Sequence, residues 1–192
     1  MQKRIYSKEP LNKLLVVNKP INISSNSYLN RIKRKYKNKK AGFSGTLDPF
    51  ACGCLVVAFG QYSKLFKYFS KVPKTYKATV WIGAISKSLD NENIESIEES
   101  QKLSKEVVKS EVNKLIGTHK YYPPKFSAKK IDGKRAYELA REDVDFEMKK
   151  STMVVHSVKF INYNHPFITF EASVSEGSYI RSLAQILLDN LN

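Results

Sequence analysis

Residues 167–191 read FITFEASVSEGSYIRSLAQILLDNL, and the change of rhythm inside that stretch decides the fold class. Ile168, Phe170, Ala172 and Val174 alternate with Thr169, Glu171 and Ser173, so one face of an extended chain is apolar and the other polar. Beyond Gly177 the period lengthens. Ile180, Leu183, Ala184, Leu187, Leu188 and Leu191 recur every three to four residues, the stripe of a helix with one buried side. A half-buried strand running into a half-buried helix predicts a sheet covered by helices.

Upstream the same two rhythms recur without regular βαβ alternation. Tyr76, Ala78, Val80 and Ile82 share one face of a strand, and Thr75, Lys77 and Thr79 the other. Further strands are expected at 13–18 (KLLVVN), at 152–161 and at the apolar run 54–59 (CLVVAF), which reads as buried. Ser24 and Ser25 offer N-caps for a helix carrying Leu29, Ile32 and Tyr36 on one side. A short helix is expected at 63–70 with Leu65, Phe66 and Phe69 inward, and another near 135–141. Leu103, Val107, Val108, Val112, Leu115 and Ile116 trace a helical stripe stopped by Gly117. Residues 86–101 are polar and acid-rich without a period and read as a mobile surface loop; 121–134 also read as loop. The expectation is one α+β domain over residues 1–192, a mixed, largely antiparallel β-sheet flanked by helices.

Charge narrows the partners. Thirty-three Lys and Arg against 18 Asp and Glu leave a net charge of +15, and residues 31–40 (RIKRKYKNKK) hold seven basic side chains and no acid. Such a field attracts polyanions, whether RNA, DNA, an anionic membrane or an acidic protein; a merely solvated lysine-rich surface gives the same count. No apolar run nears the ~18 residues of a membrane span, and Leu14 to Val17 is too short for a secretory core, so a cytoplasmic protein is expected. Cys52 and Cys54 form a lone C-x-C, and His119, His156 and His165 lack the spacing to complete a zinc site. They read as small buried thiols, with no metal expected.

The stretch AGFSGTLDPFACG, residues 41–53, reads as a loop in which Gly42, Gly45 and Gly53 allow positive φ or a ligand's close approach. Asp48-Pro49 is, locally, an ordinary helix start, Asp as N-cap and Pro at the first position. There is no G-x-x-x-x-G-K-[ST], no G-x-G-x-x-G, no H-E-x-x-H and no nucleophile elbow. On these residues alone a structural Asp48 and a chemical one both stand.

Five segments in order change that balance. GFSGTLDPFACGCL (42–55) resembles G-H-x-G-x-L-D-P-x-A-x-G-x-L, and KPINISS (19–25) resembles K-P-x-G-x-[ST]-S. KTYKATVWIG (74–83), PPKFSAKKIDGKRAYELAR (123–141) and GSYIRSL (177–183) match three further motifs of the same set. Together they resemble the bacterial tRNA pseudouridine synthase B family, across nearly the whole chain. That resemblance implies the pseudouridine synthase catalytic fold and a cofactor-free isomerase acting on a uridine in the T loop of tRNA, with the tRNA T-arm as partner and the protein a monomer.

It also implies roles. Asp48 matches the catalytic aspartate, which serves as nucleophile or base at the sugar while the base is detached, rotated and rejoined through carbon. Tyr76 matches the ring held against the target base, where local pattern alone favours a core aromatic. Tyr179 matches a substrate contact, against simple packing beside Ile180. Arg181 matches an arginine that pairs with the catalytic aspartate and favours its ionised form; a phosphate contact is the alternative. Phe43 stands where the family has histidine, and is expected to stack on RNA. Val174 and Cys52 replace the family's cysteine and threonine at two other motif positions. Lys33, Arg34, Lys37 and Lys40 are expected on the RNA backbone, adding affinity and little sequence information. Family chains continue past the last helix, so the C-terminal RNA-binding extension is expected to be absent. The rival readings are a non-catalytic RNA-binding or RNA-folding protein, which does not need Asp48, Tyr76 and Arg181 together, and a ribosomal-type basic protein, which leaves the GTLDP segment unexplained.

Overall fold

A computed structural model describes residues 11–69 and 73–191. The chain divides into two compact units, residues 1–70 and 71–192.

The first unit contains β1 (Lys13–Lys19), α1 (Ser25–Lys35), β2 (Ala41–Ser44), β3 (Gly53–Phe59) and a 3₁₀ segment (Gly60–Tyr68). Its sheet has the order β1-β3-β2 with both pairings antiparallel, so β1 is an edge strand; Val17 lies opposite Leu55, and Phe43 opposite Val57. Helix α1 starts where Ser24 Oγ accepts the Ser27 N–H at 3.1 Å. It ends in a Schellman turn: Asn38 N–H bonds the Lys33 carbonyl, Lys37 N–H bonds that of Arg34, and Lys37 takes φ 50°. Leu29 and Ile32 of α1 close a core with Leu55, Val57 and Phe59 of β3. Each such side chain contributes roughly 1.5–3 kcal/mol by leaving water.

Three expectations need correction here. The first part of the expected loop at 41–53 is strand β2, its backbone groups paired to β3. Cys52 and Cys54 are exposed, because Cys54 points away from the face that buries Leu55 and Val57 and Cys52 lies before the strand begins. The segment expected as a helix over 63–70 is a 3₁₀ helix from Gly60 with no buried residue, and Leu65 is exposed. Three residues per turn cannot gather residues 65, 66 and 69 onto one side as an α-helix would. Residue 70 of that expectation lies outside the described residues.

The second unit contains β4 (Lys74–Trp81), β5 (Ala84–Ser86), β6 (Ile94–Ile97), α2 (Lys105–Lys114), β7 (Gly117–Tyr121), β8 (Lys130–Ile131), β9 (Lys134–Arg135), α3 (Ala136–Arg141), β10 (Ser151–Asn164), β11 (Phe167–Val174) and α4 (Ile180–Leu191). Its main sheet has the order β4-β11-β10-β7, antiparallel throughout. The alternation at 167–174 places Ile168, Phe170, Ala172 and Val174 in the core, where Val108 and Val112 from α2, its C-cap Leu115, and Leu183 and Leu187 from α4 meet them. Every strand pairing among the described residues is antiparallel, and the class is α+β.

Corrections apply in this unit too. Val107 and Ile116 belong to the predicted stripe but are exposed, since α2 and its C-cap bury only the narrower line of Val108, Val112 and Leu115. The stretch at 86–101 is built rather than loose: β5 and β6 form a hairpin, and Ser88 inside it is buried. Polarity conceals the structure because the hairpin is held by side-chain hydrogen bonds and an ion pair, which leave no apolar period. Residues 130–135 likewise form a small hairpin around Asp132 and Gly133, both at positive φ.

Candidate active site

Asp48 lies in the first unit, half-buried, in the connection between β2 and β3. No helix starts there. The Ala51 N–H bonds the Asp48 carbonyl at 3.1 Å, closing a β-turn with Pro49 at its second position, where a fixed φ is favourable. The N-cap reading of Asp48 therefore falls away. Two buried side chains hold the turn. Ser25, offered by the sequence as a cap, instead donates its hydroxyl to the Leu47 carbonyl at 2.9 Å and accepts the Leu47 N–H at 3.0 Å. Lys19 is 0% exposed, and its ammonium donates to the carbonyls of Pro20 (2.9 Å), Ile23 (2.7 Å) and Pro49 (3.2 Å). Burial pushes the Lys19 ammonium below the ordinary lysine range, while the nearby Cys52 and Asp48 push it back up. Asp48 is thus fixed on both sides, by a hydroxyl at Leu47 and a cation at Pro49.

Phe43 belongs to β2, half-buried and packed against the core of the first unit. Along α1 and its terminus, Arg34, Lys37 and Lys40 are exposed and Lys33 is half-buried.

Tyr76, Tyr179 and Arg181 lie in the second unit. Tyr76 sits on β4 opposite Ala172, half-buried against the core, as its alternation predicts. Tyr179 immediately precedes α4, its carbonyl accepting the Leu183 N–H, with its ring 6.4 Å from that of Tyr121. Burial, with Tyr179 beside it, pushes the Tyr121 phenol up to about 12; its hydroxyl donates to the Gly177 carbonyl at 3.2 Å. Arg181 is buried in the first turn of α4. Its guanidinium donates to the Ser88 carbonyl at 2.7 Å, to the Phe126 carbonyl at 3.0 Å and to Asp90 Oδ2 at 3.3 Å. Asp90 is itself positioned by the Ser88 hydroxyl at 2.6 Å and the Glu92 N–H at 3.0 Å. One arginine therefore ties α4 to the β5–β6 hairpin and to the segment before α3.

With this geometry in view, residues 33–180 match the family model described as TruB family pseudouridylate synthase, N terminal domain. The chain belongs to that family. It is similar to proteins named tRNA pseudouridine synthase B from Sulfurovum sp. (strain NBC37-1), 56% identical over 94% of this chain and 65% of that one; from a Nitratiruptor species, 51% over 94% and 66%; and from Campylobacter concisus (strain 13826), 54% over 92% and 64%. The chain spans just under two thirds of the length of these curated relatives. Among solved structures it is similar to a chain in the crystal structure of a Cbf5-Nop10-Gar1 complex, with a TM-score of 0.70, 21% identity, and coverage of 93% of this chain and 44% of that one. A chain of an H/ACA RNP bound to a substrate RNA containing 2'-deoxyuridine gives a TM-score of 0.67 at 18% identity, over 93% and 43%. Those two likenesses establish a shared fold.

Sequence reasoning missed Lys19, Ser25 and Asp90. Lys19 and Ser25 begin and end the KPINISS motif, so the motif carried a signal that strand and cap rules misassigned. Asp90 carried none, because nothing within 86–101 distinguishes a carboxylate that meets a distant arginine from a solvated one. Among the described residues, no three His, Cys, Asp or Glu side chains gather as a metal centre would need, and no helix is long and apolar enough to cross a membrane.

Proposed function

We propose that this protein is a tRNA pseudouridine synthase that isomerises a uridine of the T loop, at position 55 in tRNA numbering, with Asp48 as its catalytic carboxylate. The observation that carries this reading is the half or more identity to proteins named tRNA pseudouridine synthase B, over nearly all of this chain. The chemistry suits the residues. The glycosidic C1′–N1 bond breaks, the uracil turns, and C5 bonds to C1′; the C5 proton leaves and N1 gains one, so the product is an isomer. A carboxylate serves as nucleophile or base at the sugar and is regenerated at the end. A turn fixed through Ser25 and Lys19 suits such a group, because a preorganised charge needs no reorganisation during reaction.

In this reading Tyr76 and Tyr179 contact the extruded base and Arg181 orients the site, with no cofactor required. Extrusion from the stack costs a few kcal/mol, least in a loop. The tRNA T-arm is the partner, Lys33, Arg34, Lys37 and Lys40 contact its backbone, and the protein acts as a monomer in the cytoplasm. Incubating the purified chain with an unmodified tRNA transcript and mapping pseudouridine at nucleotide resolution tests the proposal. Modification at one T-loop uridine is expected; RNA bound but unmodified would favour a non-catalytic RNA binder.

A further inference from the structure

Arg31 and Lys35 of α1 are not among the basic residues assigned above to the RNA backbone, although Arg34 of that set is their neighbour on the helix surface. At 100° per residue, Tyr28, Arg31 and Lys35 share one stripe of the helix, while Lys33 lies about half a turn away. That stripe faces the edge strand β1, and between them runs a groove of about 300 Å³ lined by Leu15, Val17, Tyr28, Arg31, Lys35 and Tyr36 among others. The volume is at the lower end of pockets that hold small ligands.

The lining is chemically divided. Leu15 and Val17 turn to the sheet face that α1 covers, and with the half-buried Tyr28 they pack against the core of the unit. The ring of Tyr36 is engaged by Phe59, 5.2 Å away, and by the Lys13 ammonium 5.3 Å from its centroid. Tyr28 has no ring or cation partner among the described residues. Arg31 and Lys35 are exposed at the rim, and α1 contains no acidic residue. A flat apolar floor with cations along one side suits a group that is flat and apolar at one end and anionic at the other.

We infer that the groove between β1 and α1 holds one unpaired nucleotide of the substrate RNA, its base against Tyr28 beside Leu15 and Val17 and its phosphate at Arg31 and Lys35. Stacking on an aromatic ring is tolerant of base identity, and the paired cations supply attraction by counterion release. This contact rests on the reading of the protein as an RNA-modifying enzyme and adds a second anchor, formed wholly within the first unit.

The two halves of the groove leave different signatures. Arg31→Glu with Lys35→Glu should weaken tRNA binding at least tenfold and reduce the slope of log K against log salt by about 2, for two lost phosphate contacts. Tyr28→Leu should weaken binding about fivefold or more with the slope unchanged, since stacking releases no counterions. Lys105→Glu with Lys109→Glu, two exposed lysines of α2, imposes the same change of net charge elsewhere. The inference is overturned if the Arg31/Lys35 pair behaves like the Lys105/Lys109 pair, or if photocrosslinked RNA maps away from the peptides bearing Val17 and Tyr28. A dimer in sedimentation that Tyr28→Leu abolishes, with RNA affinity intact, overturns it too, because a second copy then fills the groove. Failure of the wild-type chain to make pseudouridine would refute the catalytic reading alone; these binding measurements judge the groove in either case.

Discussion

Arg181 and Asp90 meet at 3.3 Å with their side chains only 6% and 7% exposed, a buried ion pair joining the start of α4 to the β5–β6 hairpin. Two ions removed from water are stable only together and with their remaining hydrogen bonds met. Ser88, Phe126 and Glu92 supply further hydrogen bonds to the pair.

Removing one partner should therefore be expensive. Asp90→Ala removes one partner of a buried ion pair and is expected to cost about 3–5 kcal/mol. The double variant Asp90→Ala with Arg181→Leu should lose less than the sum of the single losses. Urea denaturation of the four proteins measures this; a cost under about 1 kcal/mol for Asp90→Ala would show that the pair carries little.

Tyr121 predicts an alkaline transition. Its phenol is held up to about 12 against an ordinary 10, so the folded state favours the neutral form. The resulting stability, up to about 2–3 kcal/mol, is fully present below pH 10 and is lost as pH rises towards 12. Denaturation midpoints between pH 9 and 12 should fall more steeply for wild type than for Tyr121→Phe. Parallel curves would contradict the assignment.

Phe43 has a structural and a proposed chemical part. It is half-buried on β2, opposite Val57, so Phe43→Ala should lose stability as well as about 1–3 kcal/mol of RNA binding or transition-state stabilisation. Phe43→His keeps a flat ring and should be nearly neutral in tRNA affinity and single-turnover rate. An active, tightly binding Phe43→Ala would leave this residue a packing role alone.

Lys33, Arg34, Lys37 and Lys40 changed together to Gln should weaken tRNA binding without moving the modified nucleotide, and should flatten the salt dependence by up to about 4 in log–log slope. An unchanged slope would show that this face does not touch RNA.

The sequence made the main sheet legible wherever one face is buried and the other wet. The strands at Tyr76–Val80 and Ile168–Val174 and the helix with Leu183 and Leu187 follow directly from their periods. Exposure of Cys54 was hidden because its neighbours in the run CLVVAF are apolar enough to suggest burial on both sides. The β5–β6 hairpin was hidden for the opposite reason, since Ser88, Asp90 and Arg181 satisfy one another across about ninety residues and leave no local pattern. For Asp48, local rules suggested an N-cap; the motif, and then the turn fixed by Ser25 and Lys19, pointed elsewhere.

Asp48→Asn keeps size and most hydrogen bonding while removing the charge and the nucleophile, so it isolates the central claim. Single-turnover pseudouridine formation in an unmodified tRNA transcript should be abolished in this variant, with tRNA affinity and thermal midpoint close to wild type. Turnover within tenfold of wild type would contradict the account, and so would an Asp48→Asn variant that loses activity only because it no longer folds.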